Sequence, residues 1–124
     1  MLRHLLVFIG GGAGAVVRLI AGTEIMQRFG GSFPLGTLAI NVTGSFLIGV
    51  LMTLFTQRMQ VGSHWRLLFV TGFLGGYTTF STFEYETIMA VRDGAIGIGV
   101  LNILLSVIAG YIAVWLGIVI TARA

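Results

Sequence analysis

Apolar positions gather along this chain into four long stretches, residues 5–21, 35–56, 67–91 and 95–121. Each meets or approaches the roughly 20 residues that a helix needs to cross bilayer hydrocarbon. The first is the weakest, because Arg18 stands near its end. The intervening connections, 24–34, 57–66 and 92–94, are too short to house a catalytic domain. Pro34, the only proline, precedes the second stretch, where a missing amide hydrogen costs little. The pattern predicts an all-α integral membrane protein of four transmembrane helices. Both termini fall on one side, and a single domain occupies 1–124. A cleaved signal peptide is not expected, since Gly10-Gly11-Gly12-Ala13-Gly14 interrupts the apolar run, which continues to Arg18.

Composition agrees. Hydrophobic residues make up 56% of the chain and charged residues 9%, against roughly 25% charged in a soluble domain. Mean hydropathy is +1.02. All basic residues are arginines. Arg3, Arg58, Arg66 and Arg123 fall on the side of the termini; Arg28, Arg92 and the borderline Arg18 fall on the other. Orientation follows the Lys/Arg imbalance of short loops, and this imbalance is small. It is compatible with one weakly preferred orientation, or with insertion both ways and antiparallel dimers. No loop carries the basic cluster that nucleic-acid binding uses, so no nucleic-acid partner is expected. Cysteine is absent, and His4 and His64 have no companions at metal-ligand spacing. Enzyme activity is not expected.

The third stretch is the odd one. Gly75-Gly76-Tyr77-Thr78-Thr79-Phe80-Ser81-Thr82-Phe83 makes a poor lipid-facing helix. Irregular backbone at membrane depth survives only when buried in protein or lining a hydrated cavity. The two glycines can adopt backbone angles that other residues resist, which predicts a helix break near Gly75 and Thr78. Phe80 and Phe83, three apart, place one ring above the other.

Polar faces occur on two further stretches. Thr37, Asn41 and Ser45 share one face of the second; Asn102 and Ser106 lie one turn apart on the fourth. Each alone reads equally well as helix–helix packing. Together, a polar face without an acidic group beside stacked rings suits a small anion, because a ring is positive at its rim. Arg18 can attract anions electrostatically. Glu86 opposes anion passage unless it lies beyond the constriction, is protonated, or pairs with Arg18 or a hydroxyl. Gly10/Gly14, Gly72/Gly76, Ser45/Gly49 and Ala109/Ala113/Gly117 follow small-xxx-small spacing, which lets helix backbones approach closely. Four thin helices have little interior of their own, so a dimer or larger assembly is expected.

The run Gly75–Phe83 resembles the signature of the Fluc (CrcB-type) fluoride channels. Gly36-Thr37-Leu38-Ala39-Ile40-Asn41-Val42-Thr43-Gly44-Ser45-Phe46 is similar to that family's asparagine region, and Gly10 to Arg18 to its opening. The resemblance covers essentially the whole chain. It implies a passive fluoride-selective channel in the bacterial inner (plasma) membrane, in contact with membrane lipid. It also implies an antiparallel, dual-topology homodimer with two pores, each lined by both subunits. Phe80, Phe83 and Asn41 would line the fluoride path. Ser81, Thr82 and Ser106 would be polar-track members, and Arg18 would shape a vestibule. Main-chain carbonyls of Gly75 and Thr78 would bind a structural sodium ion on the dimer axis. Some relatives carry tyrosine where this chain has Asn102. The competing reading is a small proton-coupled multidrug exporter. Such exporters need a membrane-embedded carboxylate, usually in the first helix, and this first stretch offers none, Glu24 falling after Gly22 near its end.

Overall fold

The computed structural model describes every residue but Gln60, which falls in the expected 57–66 connection and lies outside the described residues. The described residues form helices and no strands. Helix α1 covers Leu2–Phe29, α2 covers Leu35–Arg58, and α5 covers Ile96–Arg123. These three are long and apolar enough to cross a membrane. Between α2 and α5 the chain is divided. Helix α3 occupies 63–77, with wide π-helical turns over Leu67–Leu74, and α4 occupies Ser81–Arg92.

The helices outrun the apolar stretches. The sequence put a connection at 24–34, yet α1 continues to Phe29, and α2 continues to Arg58. Apolarity marks the hydrocarbon thickness, whereas a helix can extend into the polar interface, where water satisfies its side chains. A 28-residue helix is about 42 Å long against about 30 Å of hydrocarbon. Glu24 and Arg28, one turn apart on the extension, form an exposed ion pair at 2.6 Å.

Two close helix pairs build the bundle, and small residues explain both. A Cβ on Gly10 or Gly14 would run into the backbone of α3 at Leu68 or Phe73, and one on Gly76 would meet the Gly11 carbonyl. The Gly10/Gly14 and Gly72/Gly76 faces therefore seat α1 directly against α3. Gly49 and Gly117 do the same for α2 and α5, with Val114 and Phe46 carbonyls as the opposing atoms. Gly94, at φ +87°, makes the turn between α4 and α5.

The break lies slightly beyond the expected glycines. Gly75 is helical at φ −60°, ψ −38°, and the chain turns extended at Thr78, with φ −85° and ψ 157°. Gly75 and Gly76 therefore do not supply unusual backbone angles. Gly76 is needed for close approach to α1, and the interruption belongs to Thr78, Thr79 and Phe80.

Candidate functional site

Asn41 holds the break open. Its Nδ2 donates to the Thr79 carbonyl at 2.7 Å, and the Thr79 amide donates to its Oδ1 at 2.8 Å. One carboxamide thus replaces the backbone partners that Thr79 would have in a continuous helix. A buried peptide group needs such partners, and α2 supplies them from 38 residues away. The Thr79 hydroxyl in turn accepts from the Thr82 amide at 3.4 Å and donates to the Thr82 hydroxyl at 3.1 Å. In an α-helix the amides of Thr79 and Thr82 would close onto the carbonyls of Gly75 and Thr78. Both amides are directed elsewhere, so those two carbonyls leave the helical ladder. Gly44 completes the seat: its missing Cβ makes room for the Thr78 methyl group.

Two open clefts meet at Thr79. The first, about 560 Å³, is lined by Asn41, Ser45, Gly75, Thr78, Phe80, Phe83 and Ser106, among others. The Phe80 and Phe83 ring centroids lie 5.6 Å apart with their planes at 50°. Phe83 is buried, whereas Phe80 is 70% exposed in the single chain. The second cleft is lined by Arg18, Thr23, Gln27, Thr37, Thr82 and Glu86, and Thr79 is common to both. The Thr37–Asn41–Ser45 face therefore runs from one cleft to the other, with the Asn41–Thr79 pair between them.

Most expected site residues come together here. Asn41, Phe80, Phe83, Ser106, Gly75 and Thr78 share the first cleft, and Arg18 and Thr82 share the second. Ser81 is exposed in the first turn of α4 and lines neither. Glu86 shares a cleft with Arg18, but the Glu24–Arg28 contact is the one ion pair among the described residues. One Glu86 carboxylate oxygen is buried without a hydrogen-bond partner. Asn102 lines neither cleft. It is 2% exposed, between α4 and α5.

Sequence reasoning passed over Thr79, the residue that both clefts share. Its type gave no signal beside four neighbouring hydroxyl residues; only the reach of Asn41 across the bundle distinguishes it. Thr43 was likewise passed over. Its hydroxyl contacts the Tyr77 hydroxyl at 2.8 Å and fastens α2 to the end of α3.

Comparison with known proteins converges on one family. The family described as "CrcB-like protein, Camphor Resistance (CrcB)" matches residues 5–118. The Fluoride-specific ion channel FluC of Solibacter usitatus (strain Ellin6076) is 52% identical over 122 residues, covering 98% of this chain and all of the relative. Its namesake from Acidobacterium capsulatum is 48% identical over 98% of both chains. That of Agrobacterium fabrum (strain C58) is 42% identical, covering 95% of this chain and 94% of the relative. With three helices suited to crossing a membrane and ion channels as relatives, the chain is a multi-pass membrane protein. It belongs to the CrcB family.

Proposed function

We propose that the chain is a passive, fluoride-selective channel of the bacterial inner membrane that lets fluoride leave the cytoplasm. The observation that carries this reading is near-full-length identity of 52% and 48% to proteins named fluoride-specific ion channels. The geometry supplies a route suited to the ion. Arg18 lies in one cleft and draws anions toward Thr79 and Thr82. Asn41 uses one Nδ2 hydrogen on Thr79 and can offer the other to an anion. The tilted Phe80–Phe83 pair presents ring edges, which are positive, and Ser106 adds a hydroxyl. Such donors can replace the hydration that a small anion loses.

The divided segment, α3 with α4, completes a fourth crossing. Irregular backbone is tolerated there because Asn41 satisfies it. The functional unit is an antiparallel homodimer of dual topology, supported by the near-balanced arginines. A Phe80 ring 70% exposed beside an open polar cleft also suits coverage by a second copy, with membrane lipid around the rest. Gly75 is exposed and Thr78 half-buried at that cleft, and their carbonyls are released from the helical ladder. Two copies would bring four oxygens together, a hard donor set that fits sodium. The ion would tie the subunits and offset repulsion between anions in the paired routes.

Hydrogen fluoride crosses membranes as a neutral acid and ionises at cytoplasmic pH. A passive exit then suffices, because the membrane potential supplies about 2.3 kcal/mol per charge per 100 mV. The exporter alternative finds no support. Glu24, the first helix's carboxylate, lies beyond the apolar stretch and is exposed beside Arg28.

Purified protein in liposomes loaded with potassium fluoride tests the reading. Valinomycin should trigger rapid fluoride release with no proton gradient, and chloride-loaded vesicles should stay closed. Release of both anions at similar rates, or none without a proton gradient, would overturn it.

A further inference from the structure

Among the described residues Asn102 is the most enclosed large side chain, at 2% exposure, and its contacts lead to the anion route from both ends. Its Nδ2 donates to Thr87 Oγ1 at 2.9 Å, and Thr87 Oγ1 donates to the Phe83 carbonyl at 2.8 Å. The direction is fixed: the one hydroxyl hydrogen of Thr87 is spent on Phe83, so Thr87 must accept from Asn102. On the other side, Ser106 Oγ donates to Asn102 Oδ1 at 3.4 Å. That bond is longer than the usual range for an O–H donor, so it is weak.

The consequence for Ser106 is specific. Its hydroxyl lies at the first cleft, yet its hydrogen is directed to Asn102. A weak bond to Asn102 holds that hydrogen where an arriving anion can take it. Without Oδ1, a helical serine turns its hydroxyl to the carbonyl one turn back. The hydrogen is then held in a stronger bond, away from the cleft. The same carboxamide ties α5 to α4 at Thr87, one turn beyond the residue whose ring lines the cleft.

We propose that Asn102 is a positioning residue of the anion route. It never touches the ion; it keeps the Ser106 hydroxyl hydrogen available and fixes α4 at Phe83 through Thr87. This inference rests on the channel reading given above.

Fluoride flux from full-length protein in liposomes tests it through a double-mutant cycle. Asn102→Leu, which keeps the volume filled, should lower flux about tenfold, at least as far as Ser106→Ala does. The Asn102→Leu/Ser106→Ala double variant should be no slower than Asn102→Leu alone, because the donor that Ser106→Ala removes is already disabled there. Thr87→Val, which preserves shape and leaves Asn102 in place, should also slow flux, and Thr87→Ser should restore it. Thr87→Val keeps the test open if Asn102→Leu does not assemble. Asn102→Leu and Thr87→Val at wild-type flux would overturn the inference. So would a double variant slowed by the product of the two single losses, which is the mark of independent, structural damage. Absence of flux in the unmodified protein would instead strike the channel reading.

Discussion

Replacing Asn41 probes the two roles proposed for it, holding the break and lining the route. Asn41→Leu keeps the bulk and removes both bonds to Thr79. An unsatisfied buried donor or acceptor costs about 1–3 kcal/mol. Both clefts give water some access to Thr79, so the low end applies to each of the two groups. A loss of about 2 kcal/mol shifts the balance between broken and continuous helix by about 30-fold. In the continuous form the Thr79 amide returns to the Gly75 carbonyl, and the bend between the clefts is lost. Asn41→Asp is harsher. It retains an acceptor for the Thr79 amide but sets a carboxylate against the Thr79 carbonyl. An anion passing at about 5 Å would also meet about 3 kcal/mol of repulsion at an effective dielectric near 20.

Fluoride release from liposomes, measured by electrode beside size-exclusion profiles of the same preparations, gives the comparison. Flux should fall about 30-fold in Asn41→Leu and at least about 100-fold in Asn41→Asp. Asn41→Asp conducting like the unmodified protein would refute the assignment of Asn41 to both roles.

The rings offer a second test: Phe80→Ile should slow fluoride while leaving the single-chain fold intact, since Phe80 is 70% exposed there. Phe83→Ile should slow it too, with an added stability loss of about 1–3 kcal/mol for a large-to-small change in a buried site; normal flux in the double variant would return both rings to packing. The glycines divide sharply. A Cβ on Gly75 meets nothing of its own chain nearer than the Val70 carbonyl at 4.0 Å, whereas one on Gly76 collides with the Gly11 backbone. Gly75→Ala should therefore fold but weaken sodium-dependent dimer stability in thermal melts, and Gly76→Ala should fail to assemble; the reverse order would contradict the sodium site. Lysines added in the loop after Arg58 should force one orientation and silence the protein, with activity restored by an oppositely biased partner. Full activity from one biased variant alone would refute dual topology.

Apolar length announced the membrane class and the three helices long enough to cross a membrane, and small-residue spacing named the faces that pair α1 with α3 and α2 with α5. Those signals are local, so a sequence carries them openly. The break was legible as composition and, at its Thr78 end, in position, but not at Gly75, which is helical. Glycine freedom pointed to Gly75 and Gly76, whereas the deciding bonds come from Asn41, 38 residues before Thr79. Helix ends were misjudged at Phe29 and Arg58 because hydropathy reports the hydrocarbon, not the backbone ladder. Asn102 was grouped with Ser106 by helical periodicity. That grouping is correct, but periodicity could not show that one side chain is enclosed while the other lies at the cleft.

Reversal potential in a planar bilayer addresses fluoride selectivity most directly. With equal chloride and equal pH on both sides and a tenfold fluoride gradient, the current through the purified protein should reverse near the fluoride equilibrium value, about 59 mV from zero for one charge. Reversal at zero, or a reversal potential that follows only the pH difference, would contradict a fluoride-selective channel.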